Sequence, residues 1–427
     1  FVLQFEEFRP LSTTQSLMGS THMNVYQKEV IDPGDVVSRF AHDVSVSSYG
    51  NCPAVTIVPH QPGNFRGPVG WLWRGHILDL MIRGTDDPAN LVMMEEMEND
   101  GAGDKPQFFT LLGLPEIFRG LGWEIITMTA DDFARSGRFP AVLANELNVK
   151  RVTNENLPLI RALFEGFGEA LHEAGLVNIT GETAIMKHGI TAFCDTRSDE
   201  QLVLTWGATC IGLAHRDLFI DPSRIEPEMP VVGFLEPGYR CNGGTFFADL
   251  ILQTWGCPSE KKFRENAEMR KFVEQLAVPS RSYARTITRI IGWNPDGSVR
   301  APLADIRGIA HITGGGVWGK FGEILPEGVG ALLHSMPRPA EVLLHAQQLS
   351  LDTKHHLTDW EAYGTLHGGC GMLLVLATPK NAEIVIREAA RDGISAQIVG
   401  KTTASPQRKI VIRSQFLDKK ELSSLQP

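Results

Sequence analysis

Apolar and polar positions recur along the chain with periods that mark its elements. From Leu91 the run LVMMEEME leads into ENDGAGDK, which predicts a strand delivering a glycine loop at its end. WEIITMTA, from Trp123, predicts a second strand that empties into Asp131 and Asp132. A helix follows: Asn154 or Glu155 opens it, Pro158 sits near its first turn, and Gly175 closes it. Within it Leu159, Leu163, Phe164, Phe167 and Leu171 recur at helical spacing. LVNIT predicts the next strand, ending in Gly181-Glu182-Thr183. Three successive strand ends thus deliver acidic or glycine-rich residues, which is how open α/β sheets present ligand sites.

A further apolar strand around Cys210 to Leu213 gives way to HRDLFIDPSRIEPEMP, rich in proline and charge, and a domain boundary is expected near Pro222 to Pro230. The second half repeats the style. VVGFLEPG predicts a strand and turn, Thr245 to Trp255 and Glu260 to Leu276 helices, and Ile306 to Ile312 a strand ending in Gly314-Gly315-Gly316. The last stretch predicts strand (Met372 to Ala377), helix (Asn381 to Arg391), strand (Ile394 to Val399) and a closing strand, Lys409 to Arg413. The fold class is therefore α/β in two domains, residues 23–222 and 223–427, with no internal repeat of 20 to 50 residues. Residues 1–22 carry no clear period, and GSTHM before Asn24 resembles a cloning scar, so they read as a tag or disordered leader with Met23 as the natural start.

At 427 residues the chain can build a proper core in each domain. A net charge of −10 disfavours a nucleic-acid partner held by general electrostatics, while leaving room for a local basic cleft around a phosphorylated small molecule. No apolar run reaches the roughly 20 residues that span a bilayer, so no membrane partner is expected. Six cysteines without C-x-x-C spacing fit reduced thiols in the cytoplasm.

Asp100, Asp131, Asp132 and Glu182 form the acidic set. Mg²⁺ takes a few carboxylates together with substrate phosphates, so acids from separate strand ends suit it, although each taken singly also reads as a cap or solvated loop acid. ENDGAGDK reads either as a hairpin turn or as a loop whose glycines bring backbone to an anion. AHITGGGVWGK (Ala310 to Lys320) is equally two-sided: a phosphate cradle opening a helix, or a tight turn with His311 a core histidine. LHGGCGM (Leu366 to Met372) offers an oxyanion-type H-G-G, but no G-x-S-x-G elbow accompanies it, and Cys370 reads better as a small buried residue than as a catalytic thiol. No H-E-x-x-H occurs, and His355-His356 sits in a polar stretch.

Taken in order, D-G-A-G-D-K, A-D-D-F-A-R-S-G, T-G-E-T-A-I-M, R-C-N-G, A-H-I-T-G-G-G-V-W and L-H-G-G-C-G-M resemble the successive signatures of the aminoimidazole ribonucleotide synthetase (phosphoribosylformylglycinamidine cyclo-ligase) family, over roughly Tyr26 to Ser414. VYQKEVIDPGDVVSRF is similar to that family's opening stretch. The resemblance implies an N-terminal ATP-binding and dimerisation domain, a C-terminal synthetase domain, and a homodimer whose N-terminal sheets form a central barrel. It also implies a reaction in purine biosynthesis: ATP phosphorylates the formamide oxygen of a phosphoribosyl substrate, an amidine nitrogen closes the imidazole ring, and phosphate leaves. Asp100, Asp132 and Glu182 would hold Mg²⁺, with His311 joining them in catalysis. Gly101, Gly103, Lys105 and Asp131 would contact ATP, and Asn242, Thr313, Gly314, Gly315 and Gly316 the substrate.

The chain departs from the family pattern at several of these places. Asp104 replaces the threonine of D-G-x-G-T-K, and a carboxylate about 4 Å from a phosphate charge costs on the order of 4 kcal/mol at a surface-like dielectric unless a cation pairs with it. T-G-E-T-A-I-M lacks one glycine and the second glutamate. Arg240-Cys241 stands for His-Ser, Lys320 for asparagine, Leu366-His367 for Phe-Asn, Asn145 for an aspartate, and PHQPGNFRGPVG (Pro59 to Gly70) matches the glycine-rich segment only loosely. Two alternatives follow: a paralogous phosphoryl-transfer enzyme related to selenophosphate synthetase or thiamine monophosphate kinase, or a non-catalytic nucleotide-binding subunit. Selenophosphate chemistry is disfavoured, since no catalytic Cys or Lys stands out in the N-terminal segment.

Overall fold

The computed structural model describes residues 33–58, 68, 70–83, 90–194, 198–257, 260–354 and 356–425. The expected leader 1–22, most of the loosely matched glycine segment and His355 lie outside these residues. The first half runs α1 (Pro33–Ser48), β1 (Val55–Val58), β2 (Gly70–Trp73), α2 (Gly75–Ile82), β3 (Met93–Gly101), α3 (Lys105–Leu112), α4 (Pro115–Ala134), β4 (Phe139–Val149), α5 (Leu157–Ala174), β5 (Val177–Ile185) and β6 (Leu204–His215). After a short 3-10 turn at Pro222–Arg224 come β7 (Pro230–Leu235), α6 (Gly244–Trp255), α7 (Glu260–Glu265), α8 (Ala267–Leu276), α9 (Ala284–Ile291), β8 (Ile306–His311), α10 (Gly316–Ile324) and β9 (Val329–Leu333). The chain closes with α11 (Glu341–Ser350), α12 (Asp359–Thr365), β10 (Cys370–Leu376), α13 (Pro379–Arg391), β11 (Ala396–Ala404), β12 (Ile410–Arg413) and β13 (Glu421–Ser423).

Two larger sheets organise these elements, one four-stranded in the order β3-β6-β4-β5 and one seven-stranded in the order β13-β12-β9-β11-β7-β10-β8. In the first, β4 and β5 are parallel and joined through α5, while the other pairs are antiparallel. Its inner face carries α4 and α5. Among the described residues its outer face is largely uncovered, and Met97 there is 65% exposed.

Every residue of β10 is buried, as expected of a strand covered on both faces. Met372, Leu374 and Leu376 face one apolar core together with Val232 and Phe234 of β7 and the helices α4, α5 and α9. Leu373, Val375 and Val231 face a second core that includes residues of α6, α8, α10 and α11. The period of two along β7 and β10 thus divides the interior, and the first core joins the two sheets.

Three sequence expectations change here. WEIITMTA is not a strand but the middle of α4. Its β-branched residues suggest a strand, yet Thr127 and Thr129 hydroxyls bond back to the Trp123 and Ile125 carbonyls at 2.8 and 2.7 Å, which accommodates them in a helix. Close packing on α5 holds it there: a Cβ on Gly122 would stand 2.2 Å from Phe167 N, and one on Gly166 would stand 1.8 Å from Arg119 O. Gly181-Glu182-Thr183 lies within β5, not at its end. The helix expected over Glu260–Leu276 is two, because Asn266 leaves helical geometry and caps α8 by accepting Met269 N–H at 2.9 Å.

Candidate functional site

The polar stripe of α4 builds the centre. Glu124, Met128, Asp131 and the C-cap Arg135 follow at spacings of four, three and four, with Asp132 beside Asp131 and four residues after Met128, so they project along one flank of the helix. A strand would have sent Asp131 and Asp132 to opposite faces. The helix turns both toward the loops after β7 and β8.

Asp131 is fully buried and accepts N–H groups from Tyr283 and Ala284 at 2.8 and 2.6 Å, capping the N-terminus of α9. Its other oxygen receives Arg240 Nη2 at 2.5 Å. The Arg240 guanidinium, also fully buried, gives Nη1 to Glu236 Oε2 at 2.6 Å and to the Arg281 carbonyl at 2.7 Å, and lies 4.7 Å from the Tyr283 ring centroid. One cation between two carboxylates is thus satisfied on nearly every donor, the condition under which a buried ion pair is tolerated. Burial alone raises the Asp131 pKa, and the Arg240 charge opposes it.

Asp132, one residue on, meets His311 at the end of β8: Nδ1 lies 3.2 Å from Oδ1. Arg135 Nε also lies 2.7 Å from Oδ1. Burial works against ionisation, but the His311 hydrogen bond and the Arg135 charge outweigh it, and the Asp132 carboxyl falls to about 2. Burial, and then the Arg240 charge, lower His311 to about 4, so its ring is neutral near pH 7. Asp100 belongs to the same field. Burial and the like charges of Asp132 and Glu98 raise its pKa, against a hydrogen bond from its own neighbour Gly101 at 2.7 Å.

The ENDGAGDK loop packs on the Arg240-Cys241-Asn242 loop. Gly103 has φ +54, and a Cβ there would lie 3.0 Å from the Cys241 carbonyl, so the backbone needs glycine at this close approach. Asp104 is partnered by Thr245 Oγ1 at 2.8 Å and Gln107 Nε2 at 2.9 Å, at the start of α6. Lys105, expected on a phosphate, is instead fully buried: its Nζ lies 2.7 Å from Glu124 Oε1 and donates to the Val278 carbonyl at 2.8 Å. Cys241 Sγ donates to Glu124 Oε2 at 3.0 Å, and burial holds that thiol far above its ordinary range.

β7 and β8 both run antiparallel to β10, so their C-terminal ends share one edge. From that edge α6 and α10 start, opened by left-handed glycines: Gly243 at φ 87, Gly315 at φ 89 and Gly316 at φ 57. Gly316 cannot carry a side chain, since a Cβ would stand 2.3 Å from Tyr363 O. Asn242 Oδ1 lies 3.5 Å from the Cβ position of Gly314, so the R-C-N-G and H-I-T-G-G-G motifs, Thr313 included, adjoin. His367 is structural in form, with Nε2 2.8 Å from the Gly238 carbonyl and Nδ1 accepting Gly369 N–H at 3.1 Å. Cys370 is fully buried.

Glu182 stands apart. Asp100 shares a row with Ala208, Asn145 and Gly181, whereas Glu182 shares the next row with Glu146, Gly207 and Gly101. Adjacent rows face opposite sides of a sheet, and three strand spacings separate β3 from β5 by about 14 Å. Glu182 rims a separate polar cavity of about 320 Å³ between α1 and β5, with His42, Tyr49, Asn145 and Asn178 in its wall. Sequence reasoning overlooked Glu124 and Glu236; helical spacing from Glu124 to Asp131 was the signal for the first, had α4 been read as a helix.

The model of the AIR synthase related protein N-terminal domain matches residues 86–214, and that of the C-terminal domain matches residues 296–413. The phosphoribosylformylglycinamidine cyclo-ligase of Magnetococcus marinus is 25% identical over 331 residues, 77% of this chain and 82% of its own. That of Symbiobacterium thermophilum is 24% identical over 316 residues, 72% of this chain and 78% of its own. Among solved structures, the E. coli hydrogenase maturation protein HypE aligns with 90% of this chain and 96% of its own at 13% identity and a TM-score of 0.49. With both halves matched in order, the chain belongs to the AIR synthase related family.

Proposed function

We propose that the chain is a cytoplasmic, Mg-ATP-dependent cyclo-ligase that converts formylglycinamidine ribonucleotide to aminoimidazole ribonucleotide in purine biosynthesis. The observation that carries this reading is the contact between Asp132 of the A-D-D motif and His311 of the A-H-I-T-G-G-G motif, 3.2 Å apart, with Asp100 in the same field. Motifs some 180 residues apart converge there. The two carboxylates fit a magnesium ion, which takes one or two protein carboxylates and completes its shell with phosphate oxygens and water. Bound there, Mg²⁺ would supply neutralisation of the nucleotide phosphates.

The chain's own part is positioning. Asp100 and Asp132 would hold the ion, and backbone N–H groups around Gly101 and Gly103 the nucleotide phosphates. The N-termini of α6 and α10, with Thr313 to Gly316 and Asn242, would seat the ribose phosphate, since helix N-termini favour anions. An amide oxygen is a poor leaving group until it carries phosphate, so holding the formamide oxygen in line with the transferred phosphoryl group accounts for most of what the protein must do. Residues 23–222 and 223–427 would close over this cleft as two domains, and the open outer face bearing Met97 would pair with a second copy in a homodimer.

The burial of Lys105 against Glu124 supports a second reading, a paralogue that keeps phosphoryl transfer but uses another acceptor, because one expected phosphate cation is committed elsewhere. One assay separates the readings: incubation with Mg-ATP and formylglycinamidine ribonucleotide, following ADP and the aminoimidazole product. Both products support the cyclo-ligase, ADP alone the paralogue, and tight ATP binding without turnover a non-catalytic subunit.

A further inference from the structure

His311 is buried with both ring nitrogens engaged. Nε2 faces two N–H groups of Arg240, Nε at 3.0 Å and Nη2 at 2.9 Å. A guanidinium carries donors only, so Nε2 must present its lone pair. The single proton of the neutral ring then lies on Nδ1, aimed at Asp132 Oδ1 at 3.2 Å. The opposite tautomer would set an N–H against two guanidinium N–H groups and a lone pair against a carboxylate; tautomers are assigned from such networks.

Arg240 cannot easily turn away. Nη1 is held by Glu236 and the Arg281 carbonyl, and Nη2 by Asp131, itself fixed by two N–H groups at the start of α9. On the far side, Asp132 Oδ1 takes the His311 proton, while Arg135 pairs with the carboxylate by charge, its Nε 2.7 Å from Oδ1 but not aligned as a hydrogen bond, and its Nη2 donates to Oδ2 at a long 3.4 Å. Among the described residues, Arg240, Asp132 and Arg135 are the charged groups that act most strongly on the ring.

We propose that Arg240 is a positioning residue: by filling His311 Nε2 it fixes the ring proton on Nδ1, which commits Asp132 Oδ1 and leaves Oδ2, held by one long hydrogen bond from Arg135, to turn to a cation or substrate group. His311 acts through Asp132 and transfers no proton itself. The kinetic consequence rests on the cyclo-ligase reading; the tautomer does not.

The test uses the full chain labelled with ¹⁵N-histidine. Long-range ¹H–¹⁵N spectra of the free protein should show His311 protonated at Nδ1 and bare at Nε2, and an Nε2–H tautomer overturns the proposal whatever the substrate is. In the assay above, His311→Asn puts an amide N–H where Nδ1–H stood and should keep kcat within about tenfold, whereas His311→Gln reaches the Nε2 position and should lose roughly 10²-fold in kcat, the cost of a misplaced reacting group, with KM for ATP unchanged. Equal loss in the Asn and Gln variants would mark His311 as a proton-transfer residue and also overturn the proposal.

Discussion

Arg240 Nη2 lies 2.5 Å from Asp131 Oδ2, and neither side chain touches solvent. The pair ties the end of α4 to the loop after β7, so it joins the two halves of the chain at the candidate site. Arg240→Met leaves Asp131 and Glu236 buried without their cation, and breaking a buried pair in this way costs about 3–5 kcal/mol. Urea unfolding of the variant should show a loss of that size.

Lys105 and Glu124 form a second buried clasp. Lys105→Met alone should destabilise strongly, while Lys105→Met with Glu124→Leu, which removes both charges, should recover most of the loss, since apolar replacements of a buried pair are often near neutral. Mg-ATP affinity of the double variant, measured by calorimetry, should match the parent. A clear fall in affinity would return Lys105 to the nucleotide phosphates.

Asp132→Asn keeps the shape but removes the charge that positions the metal. It should lower kcat on the order of 10²-fold or more while the protein stays folded. Steady-state kinetics with varied Mg²⁺ would check it, and parental activity in the variant would remove Asp132 from the magnesium site.

Stability should fall in mild acid. His367 is lowered from 6.5 to about 4, chiefly by burial, and His311 is lowered likewise. Between pH 6.5 and 4 the unfolded chain therefore binds protons that the folded chain refuses, so unfolding becomes easier as pH drops through that window. Stability rises with pH across it, by about 1.4 kcal/mol per unit for each proton, and the contribution is fully present above the unfolded value. Denaturation at pH 7, 5.5 and 4 should show the slope, and His367→Gln should flatten it.

Gly316 combines φ +57 with a Cβ position 2.3 Å from Tyr363 O. Gly316→Ala would force the start of α10 away from α12. Backbone strain of this kind costs on the order of 1–3 kcal/mol, and the displaced N–H groups should raise KM for the phosphoribosyl substrate more than they lower kcat.

Much of the layout was legible from the chain itself. α5 was readable from its helical apolar spacing and Gly175, β3 from the run before ENDGAGDK, and β7, β8 and β10 from short apolar stretches bounded by glycine, because these signals are local and need no partner. The order of the motifs was enough to indicate the family. α4 was not legible, because its β-branched residues carry a strand signal and the helix is decided by the backbone contact between Gly122 and Gly166, a long-range fact. The same contact decides where Asp131 and Asp132 point.

Residue types at the candidate site were therefore determined by sequence, and their roles by tertiary structure. Asp104 looked like an unpaired charge beside a phosphate until the fold gave it Thr245, and Lys105 looked like a phosphate ligand until Glu124, Val278 and Ser280 enclosed it. Glu182 looked like a partner of Asp100, but strand register puts them on opposite faces of the sheet. Local sequence sets what a side chain can donate or accept; only packing between distant elements decides which group stands within hydrogen-bond reach of it.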